Sequence, residues 1–307
     1  MSIKRRDFLK ATAGTGALLA AGAQPSLAAG TEGELPPEAV GILYDSNLCI
    51  GCQACMDACK RANDMPVEHS SGETWDNPID LSAKTLNIIK MHREGDEFAF
   101  IKRQCMHCLE PACVSACPVS ALQKDPVNGV VTYDKSACIG CRYCQVACPY
   151  NVPKFEWDDP FPQIRKCQLC DHLYDQGHYA ACCEFCPTGA SLFGPVEELR
   201  KEAQRRLMMT PGKTYEFPLN HISKGGTTSH VAKPYKEHIY ALEELGGSQC
   251  MILAGTDFQK LGLPELRKKS YVSDLAGVSE GLYKYMVLPI AAFGGLVYLV
   301  KKRGGHE

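Results

Sequence analysis

Sixteen of the eighteen cysteines in this 307-residue chain fall into four quartets, and no other feature restricts the possible folds so strongly. Cys138, Cys141, Cys144 and Cys148 stand two, two and three residues apart, and Pro149 follows the last. That spacing is the bacterial iron–sulfur run. A cubane cluster needs four thiolates converging on one small object. Three can come from a tight loop, whereas the fourth cannot fold back from the same loop and serves a neighbouring cluster. Gly140 keeps the loop slim because glycine allows close backbone approach and φ > 0. Pro149 fixes the direction in which the chain leaves.

Cys49, Cys52, Cys55 and Cys59 repeat the spacing, although Lys60 stands where proline would follow. Cys105, Cys108, Cys113 and Cys117 repeat it with two extra residues in the middle, before Pro118. Cys167, Cys170, Cys182 and Cys186 make a fourth group with a long internal gap, before Pro187. Cys182 is chosen over Cys183 because the final interval in the other groups is always three residues. Cys183 and Cys250 are then left over and are read as small buried apolar residues. His107, between Cys105 and Cys108, is placed either to hydrogen-bond a cluster sulfur or as a surface-loop histidine.

Zinc and disulfides are the competing uses of cysteine. Structural zinc is usually held by two separated Cys-x-x-Cys pairs, not by three cysteines at two-residue intervals with a fourth beyond. Disulfides suit exported proteins, but cysteines two residues apart are too close in sequence to bridge sensibly. The quartets therefore predict iron–sulfur clusters, whose cross-links replace part of an apolar core in a Cys-, Pro- and Gly-rich middle.

The N-terminus is an address. Arg5-Arg6-Asp7-Phe8-Leu9-Lys10 is a twin-arginine motif, followed by an Ala/Gly/Leu stretch and a small-x-Ala site at Ser26-Leu27-Ala28. Cleavage before Ala29 removes a net charge of +3 and takes the formal charge from −2 to −5. Twin-arginine export carries folded proteins, which suits clusters inserted before the chain leaves the reducing cytoplasm. No basic tract suggests nucleic acid.

Further along, Gly41–Asp45 predicts a strand entering the first cysteine loop, and residues 61–84 read as an irregular insertion. Thr85–Met91 and Phe98–Lys102 predict strands flanking the turn at 93–96. Ala121–Tyr133 carries a hairpin signal at Asn128-Gly129, and Tyr150–Pro162 reads as a loop. Ser191–Phe193 predicts a strand, and Pro195 opens a helix to about Leu207 with Glu197 and Glu198 near its positive end. Residues 210–280 offer no recognisable chemistry, though Cys250–Leu253 suits one more strand. Leu282–Val300 is 19 residues with one charge, Lys284, followed by Lys301-Lys302-Arg303. It predicts a membrane anchor with its tail in the cytoplasm and the preceding domain outside.

At its four cysteine groups the chain resembles the four-cluster ferredoxin subunits of respiratory oxidoreductases. Within them it is most similar to the electron-transfer subunit of membrane-bound nickel–iron hydrogenases of the hydrogenase-2 type. Leu43-Tyr44-Asp45-Ser46, Cys105-Met106-His107-Cys108, the run Cys113–Leu122 and that from Cys141 to Pro153 carry the similarity, with the leader and the anchor. The resemblance implies that the first group exchanges ligands with the fourth, and the second with the third. The implied sites are Cys49/Cys52/Cys55/Cys186, Cys167/Cys170/Cys182/Cys59, Cys105/Cys108/Cys113/Cys148 and Cys138/Cys141/Cys144/Cys117. With no ligand replaced, four [4Fe–4S] clusters are expected.

The expected fold class is α+β, with two bacterial-ferredoxin-like modules, long irregular loops and one C-terminal transmembrane helix. A signal peptide over 1–28 precedes a four-cluster domain over 29–199, with a second module of about 96–159 nested inside it. An extension over 200–280, an anchor over 281–301 and a tail over 302–307 follow. The expected function is non-catalytic electron relay at the periplasmic face of the inner membrane. The implied donor is a hydrogenase small and large subunit pair, and the acceptor an integral membrane quinone-reactive subunit. The same relay beside a formate dehydrogenase, or a polysulfide, sulfoxide or nitrite reductase, is the alternative. A zinc-stabilised scaffold is a further one.

Overall fold

Strand β1, Val40–Asp45, is buried along almost its whole length, and its sequence VGILYD is apolar at nearly every position. A strand alternates apolar and polar residues when one face meets water, so a continuous run predicts cover on both faces. The computed structural model, which describes residues 34–68, 77–275, 293–295 and 297, supplies that cover. β1 is the centre of a three-stranded sheet, antiparallel to β8 (Ser191–Pro195) and parallel to β11 (Cys250–Leu253). On one face Leu43, Leu192, Met251 and Leu253 pack with Val196, Leu199 and Ala203. The other face turns Ile42, Tyr44, Phe193 and Ile252 into a cluster that contains many of the cysteines.

The helix behind Val196, Leu199 and Ala203 spans Val196–Leu207, with Pro195 at its N-cap, acidic residues in its first turn and Arg205-Arg206 in its last. That charge order complements the helix dipole, and the three apolar positions share one face. The helix expected from Pro195 to about Leu207 is present with those bounds. The expected boundary between residues 199 and 200 falls inside it.

Short elements carry the cysteines. They are helix α1 (Ala54–Ala62), α2 (Ala112–Ser115), α3 (Tyr143–Ala147) and α4 (Ala181–Glu184), with Val196–Leu207 as α5. α1 packs against α4, and α2 against α3. The expected hairpins form between β2 (Ile88–Glu94) and β3 (Glu97–Arg103), and between β4 (Leu122–Lys124) and β5 (Val131–Tyr133). Gly129, at φ 72, turns the second hairpin. Thr85 and Asn87, expected in a strand, lie before β2 instead. The loop expected over 150–162 also needs correction: β6 (Lys154–Phe155) pairs with β7 (Ile164–Arg165). Two residues per strand are too few to leave an alternating pattern.

Much of the segment with no recognisable chemistry is woven into the core, within residues 210–263; 276–280 lie outside the described residues. β9 (Thr214–Pro218) and β10 (Thr227–Val231) form a hairpin, and β11 completes the central sheet. Preceding β11, the Gln249 amide donates to the His107 carbonyl at 3.1 Å, and Cys250 N–H to the Met106 carbonyl at 3.1 Å. The extension thus fastens the loop of the second cysteine group to the sheet. The leader and most of the anchor expected over 281–301 lie outside the described residues; 293–295 and 297 are helical. Among the described residues no helix is long and apolar enough to cross a membrane.

Candidate iron–sulfur sites

The first Cys-x-x-Cys pair of each group opens with the same backbone turn. The residue two after the first cysteine has positive φ in all four groups: Gly51 (72), His107 (47), Gly140 (68) and Leu169 (54). That left-handed residue turns its amide back toward the sulfur. Gly140 N–H donates to Cys138 Sγ at 3.5 Å and Leu169 N–H to Cys167 Sγ at 3.4 Å. Beyond the fourth cysteine the amide of Ala121 reaches Cys117 Sγ at 3.2 Å, and that of Ser191 reaches Cys186 Sγ at 3.4 Å. Main-chain donors aimed at sulfur are what a thiolate-ligated cluster uses to hold charge. Glycine explains two of the turns; His107 and Leu169 adopt it without glycine's freedom.

The folded chain gathers cysteines from distant groups around shared hollows. One is lined by Cys49, Cys52, Cys55 and Cys186 with Tyr44, Ile89 and Pro187. A second is lined by Cys59, Cys167, Cys170 and Cys182 with Asn63 and Leu86. A third is lined by Cys117, Cys138, Cys141 and Cys144 with Leu122, Tyr133 and Ile164. Cys105, Cys113 and Cys148 all bear electrostatically on Cys108. Three of the expected sets thus line shared hollows, and the members of the fourth lie within electrostatic reach of Cys108. Among the described residues no group of three or more His, Cys, Asp or Glu side chains is placed to hold a single metal ion. The sulfurs ring a volume instead of meeting at a point, and soft thiolate donors around a small volume fit an iron–sulfur cluster.

One helical turn separates neighbouring sites. Cys55 and Cys59 lie on α1, four residues apart, yet line different hollows. Cys182 and Cys186, in and just beyond α4, do the same in the opposite sense. Side chains at i and i+4 stand about 5–6 Å apart on one helix face, so each such pair spaces two sites. Cys113 and Cys117 repeat the device at α2, and Cys144 and Cys148 at α3. Across sets, Cys182 acts electrostatically on Cys55, Cys105 on Cys167, and Cys144 on Cys113.

Burial pushes most of these thiols up, Cys59 and Cys113 to about 12 and Cys170 to about 11. Cys182 goes the other way. The neighbouring Cys183 thiol and the Lys102 ammonium, opposed by burial, hold it below the usual thiol value. Cys183 is fully buried and Cys250 nearly so, and neither lines the three hollows. Cys182, and not Cys183, lines the second hollow.

His107 is fully buried, which corrects the surface-loop alternative. Its Nδ1 accepts the Val131 amide at 3.0 Å. Burial, with the Lys166 and Lys124 charges beside it, holds its pKa well below the usual histidine value. Sequence reasoning missed three lysines around the cysteines: Lys102, Lys124 and Lys166. Lysine in a strand is ordinarily a surface residue, so no local signal marks them.

The 4Fe-4S dicluster domain family matches residues 97–196. The TAT (twin-arginine translocation) pathway signal sequence family matches residues 2–22, so the N-terminus is an export signal that directs the chain to the periplasm. The chain is 45% identical over 321 residues to the hydrogenase-2 operon protein HybA of Escherichia coli O157:H7, across 99% of this chain and 97% of that protein. It is 33% identical over 274 residues to the nitrate-inducible formate dehydrogenase iron-sulfur subunit of Escherichia coli (strain K12), across 84% of this chain and 83% of the relative. The formate dehydrogenase-O iron-sulfur subunit of the same strain is 36% identical over 200 residues, 63% of this chain and 66% of the relative.

Proposed function

This chain belongs to the HybA-type family of hydrogenase-2 iron–sulfur subunits, which transfer electrons and do not catalyse, and we propose that it relays electrons from a periplasmic nickel–iron hydrogenase toward membrane quinone. In this reading Cys49, Cys52, Cys55 and Cys186 hold one [4Fe–4S] cluster, and Cys59, Cys167, Cys170 and Cys182 a second. Cys105, Cys108, Cys113 and Cys148 hold a third, and Cys117, Cys138, Cys141 and Cys144 the fourth. When bound, these clusters supply reversible one-electron redox chemistry within a range of about −700 to +450 mV.

The chain's own contribution is spacing, insulation and charge compensation. The i, i+4 cysteine pairs keep neighbouring sites one helical turn apart, and the order Cys49 set, Cys59 set, Cys105 set, Cys117 set follows from which thiols act on each other. That electrostatic adjacency, with the family's electron-transfer role, supports the relay reading. All four cysteines of the Cys59 set are buried, which excludes water from the interior of the row. Both ends lie near the surface beside apolar side chains. Cys52 is exposed next to Ile50. Ile139, Tyr143 and Val146 are exposed around the Cys117 set. Such patches suit docking of protein partners, here a hydrogenase small and large subunit pair at one end and an integral quinone-reactive subunit at the other. The apolar stretch over 281–301 anchors the chain, with its N-terminal domain outside and the tail inside.

The similarity to formate dehydrogenase subunits favours a second reading, the same relay beside a formate dehydrogenase. One preparation tests both. The full chain is isolated anaerobically with its membrane complex, its metals and sulfide are counted, and EPR is recorded during a redox titration. About sixteen irons per chain, interacting [4Fe–4S] signals and nickel in the complex are expected. Cluster reduction by formate and not by hydrogen, with no nickel in the complex, moves the donor to the second reading. Zinc, or fewer than about eight irons without a reducible signal, overturns the relay itself.

A further inference from the structure

Three lysines are withdrawn from solvent among the cysteines. Lys102, on β3, is 2% exposed, and its Nζ donates to Ser191 Oγ at 3.2 Å. Lys166 is 4% exposed and donates to the carbonyls of Cys167, at 2.9 Å, and Val131. Lys124, half-buried on β4, donates to the Cys108 carbonyl at 2.8 Å and to Gln249 Oε1 at 3.0 Å. Among the described residues, none of the three has a carboxylate at ion-pair distance, although ion pairs are frequent on the surface of the chain. A buried ammonium without a counter-charge is among the least favourable groups an interior can hold, and carbonyl acceptors do not neutralise it.

Beyond these oxygen acceptors, the ammoniums act electrostatically on cysteine sulfurs. Lys102 lies within electrostatic reach of Cys182, Cys183 and Cys55, and acts also on Cys59 and Cys170. It therefore faces two sets at once, the Cys49 set and the Cys59 set. Lys124 is flanked by Cys108, Cys105 and Cys113, and Lys166 acts on Cys113, so both face the Cys105 set. The remaining set's hollow is lined by Arg142, which is exposed and lies over the Phe155 and Trp157 rings. In water its charge is largely screened.

We propose that Lys102, Lys124 and Lys166 are the built-in counter-ions of the iron–sulfur groups, Lys102 for the Cys49 and Cys59 sets and the other two for the Cys105 set. A cubane ligated by four thiolates carries net negative charge, which grows by one unit when it accepts an electron. A fixed ammonium nearby stabilises the reduced form more than the oxidised one and raises the reduction potential. The lysines are thus positioning residues for the relay, each tied to particular sets. This inference rests on the ligand sets proposed above. The iron count of the unsubstituted chain tests those sets, and the lysine variants test the counter-ions.

The experiment is an EPR-monitored redox titration of the full, cluster-loaded chain and of Lys102→Met, Lys124→Met and Lys102→Arg. Lys102→Met is expected to move two of the four potentials downward and leave two in place. Lys124→Met is expected to move one of those two others. Lys102→Arg, which keeps the charge, is expected to restore the first pair. Full iron loading with no potential moved in Lys102→Met overturns the proposal, as does an equal shift of all four. Should Lys102→Met lose iron, Lys102→Gln separates charge from hydrogen bonding. Recovery by Arg and not by Gln supports the counter-ion role; recovery by Gln, or by neither, overturns it.

Discussion

Arg206 donates through Nη1 to Asp45 Oδ2 at 2.8 Å across 161 residues, and both side chains are fully buried. The contact ties the last turn of α5 to the end of β1, just before the first cysteine loop. Around it, Arg206 Nε donates to Glu202 Oε1 at 2.8 Å, and the Tyr235 hydroxyl donates to Asp45 Oδ2 at 2.7 Å. Removing one partner of a buried pair leaves the other charged and unpaired. Arg206→Ala is therefore expected to lower stability by about 3–5 kcal/mol, and the double change Arg206→Met with Asp45→Asn by less. Thermal unfolding followed by far-UV circular dichroism measures both.

Glu202 gives this network a pH dependence. Burial pushes its carboxyl up, but Arg205 and Arg206 outweigh burial and hold it below the ordinary value of 4.5. A carboxyl with a depressed folded-state pKa contributes stability that is complete above the unfolded value and is lost as pH falls through the folded one. Glu202→Gln is accordingly expected to be less stable than the parent at pH 7, by about 1–3 kcal/mol. That gap should narrow steadily below about pH 4.5. A gap independent of pH assigns the effect to packing instead.

Cys182 and Cys183 are neighbours with different surroundings. Cys182→Ala is expected to remove roughly four irons of about sixteen, whereas Cys183→Ala and Cys250→Ala leave the iron count unchanged. Iron and sulfide analysis of the three variants reads this directly, and iron loss in Cys183→Ala would reverse the assignment.

Gly41 sits where β11 passes close to β1. A Cβ there would lie 1.8 Å from the Gln249 carbonyl oxygen. Backbone cannot yield as a flexible side chain does, so Gly41→Ala is expected to cost about 3 kcal/mol and to release β11. Faster amide exchange over Cys250–Leu253 is the specific readout.

The leader makes its own prediction. Exchanging Arg5 and Arg6 for lysine keeps the charge and removes the motif that the export receptor reads. The chain should then stay in the cytoplasm, as cell fractionation with an antibody to the protein shows.

Local rules were enough for every feature governed by a few adjacent residues. The quartets, the strand at β1, the Asn128-Gly129 hairpin and the helix opened by Pro195 all depend on spacing, periodicity or capping within a turn or two. The two-residue strands at Lys154 and Ile164 were illegible because they are shorter than any period. Cys250–Leu253 showed as a strand, but nothing nearby says that it runs parallel to β1 or that Gln249 grips the His107 loop.

Sequence by itself determined that this chain carries four cysteine quartets of iron–sulfur spacing and an export leader, because ligand geometry and signal recognition act over a dozen contiguous residues. Tertiary structure decided that cysteines of different quartets line shared hollows, which spacing does not say, and that His107 is buried. It also decided that Arg206 reaches Asp45 and that three lysines lie inside the core facing sulfur. Those relationships join residues tens to hundreds of positions apart. They arise from packing both faces of one central sheet and from the scarcity of charged partners in an apolar interior, neither of which leaves a periodic mark on the chain.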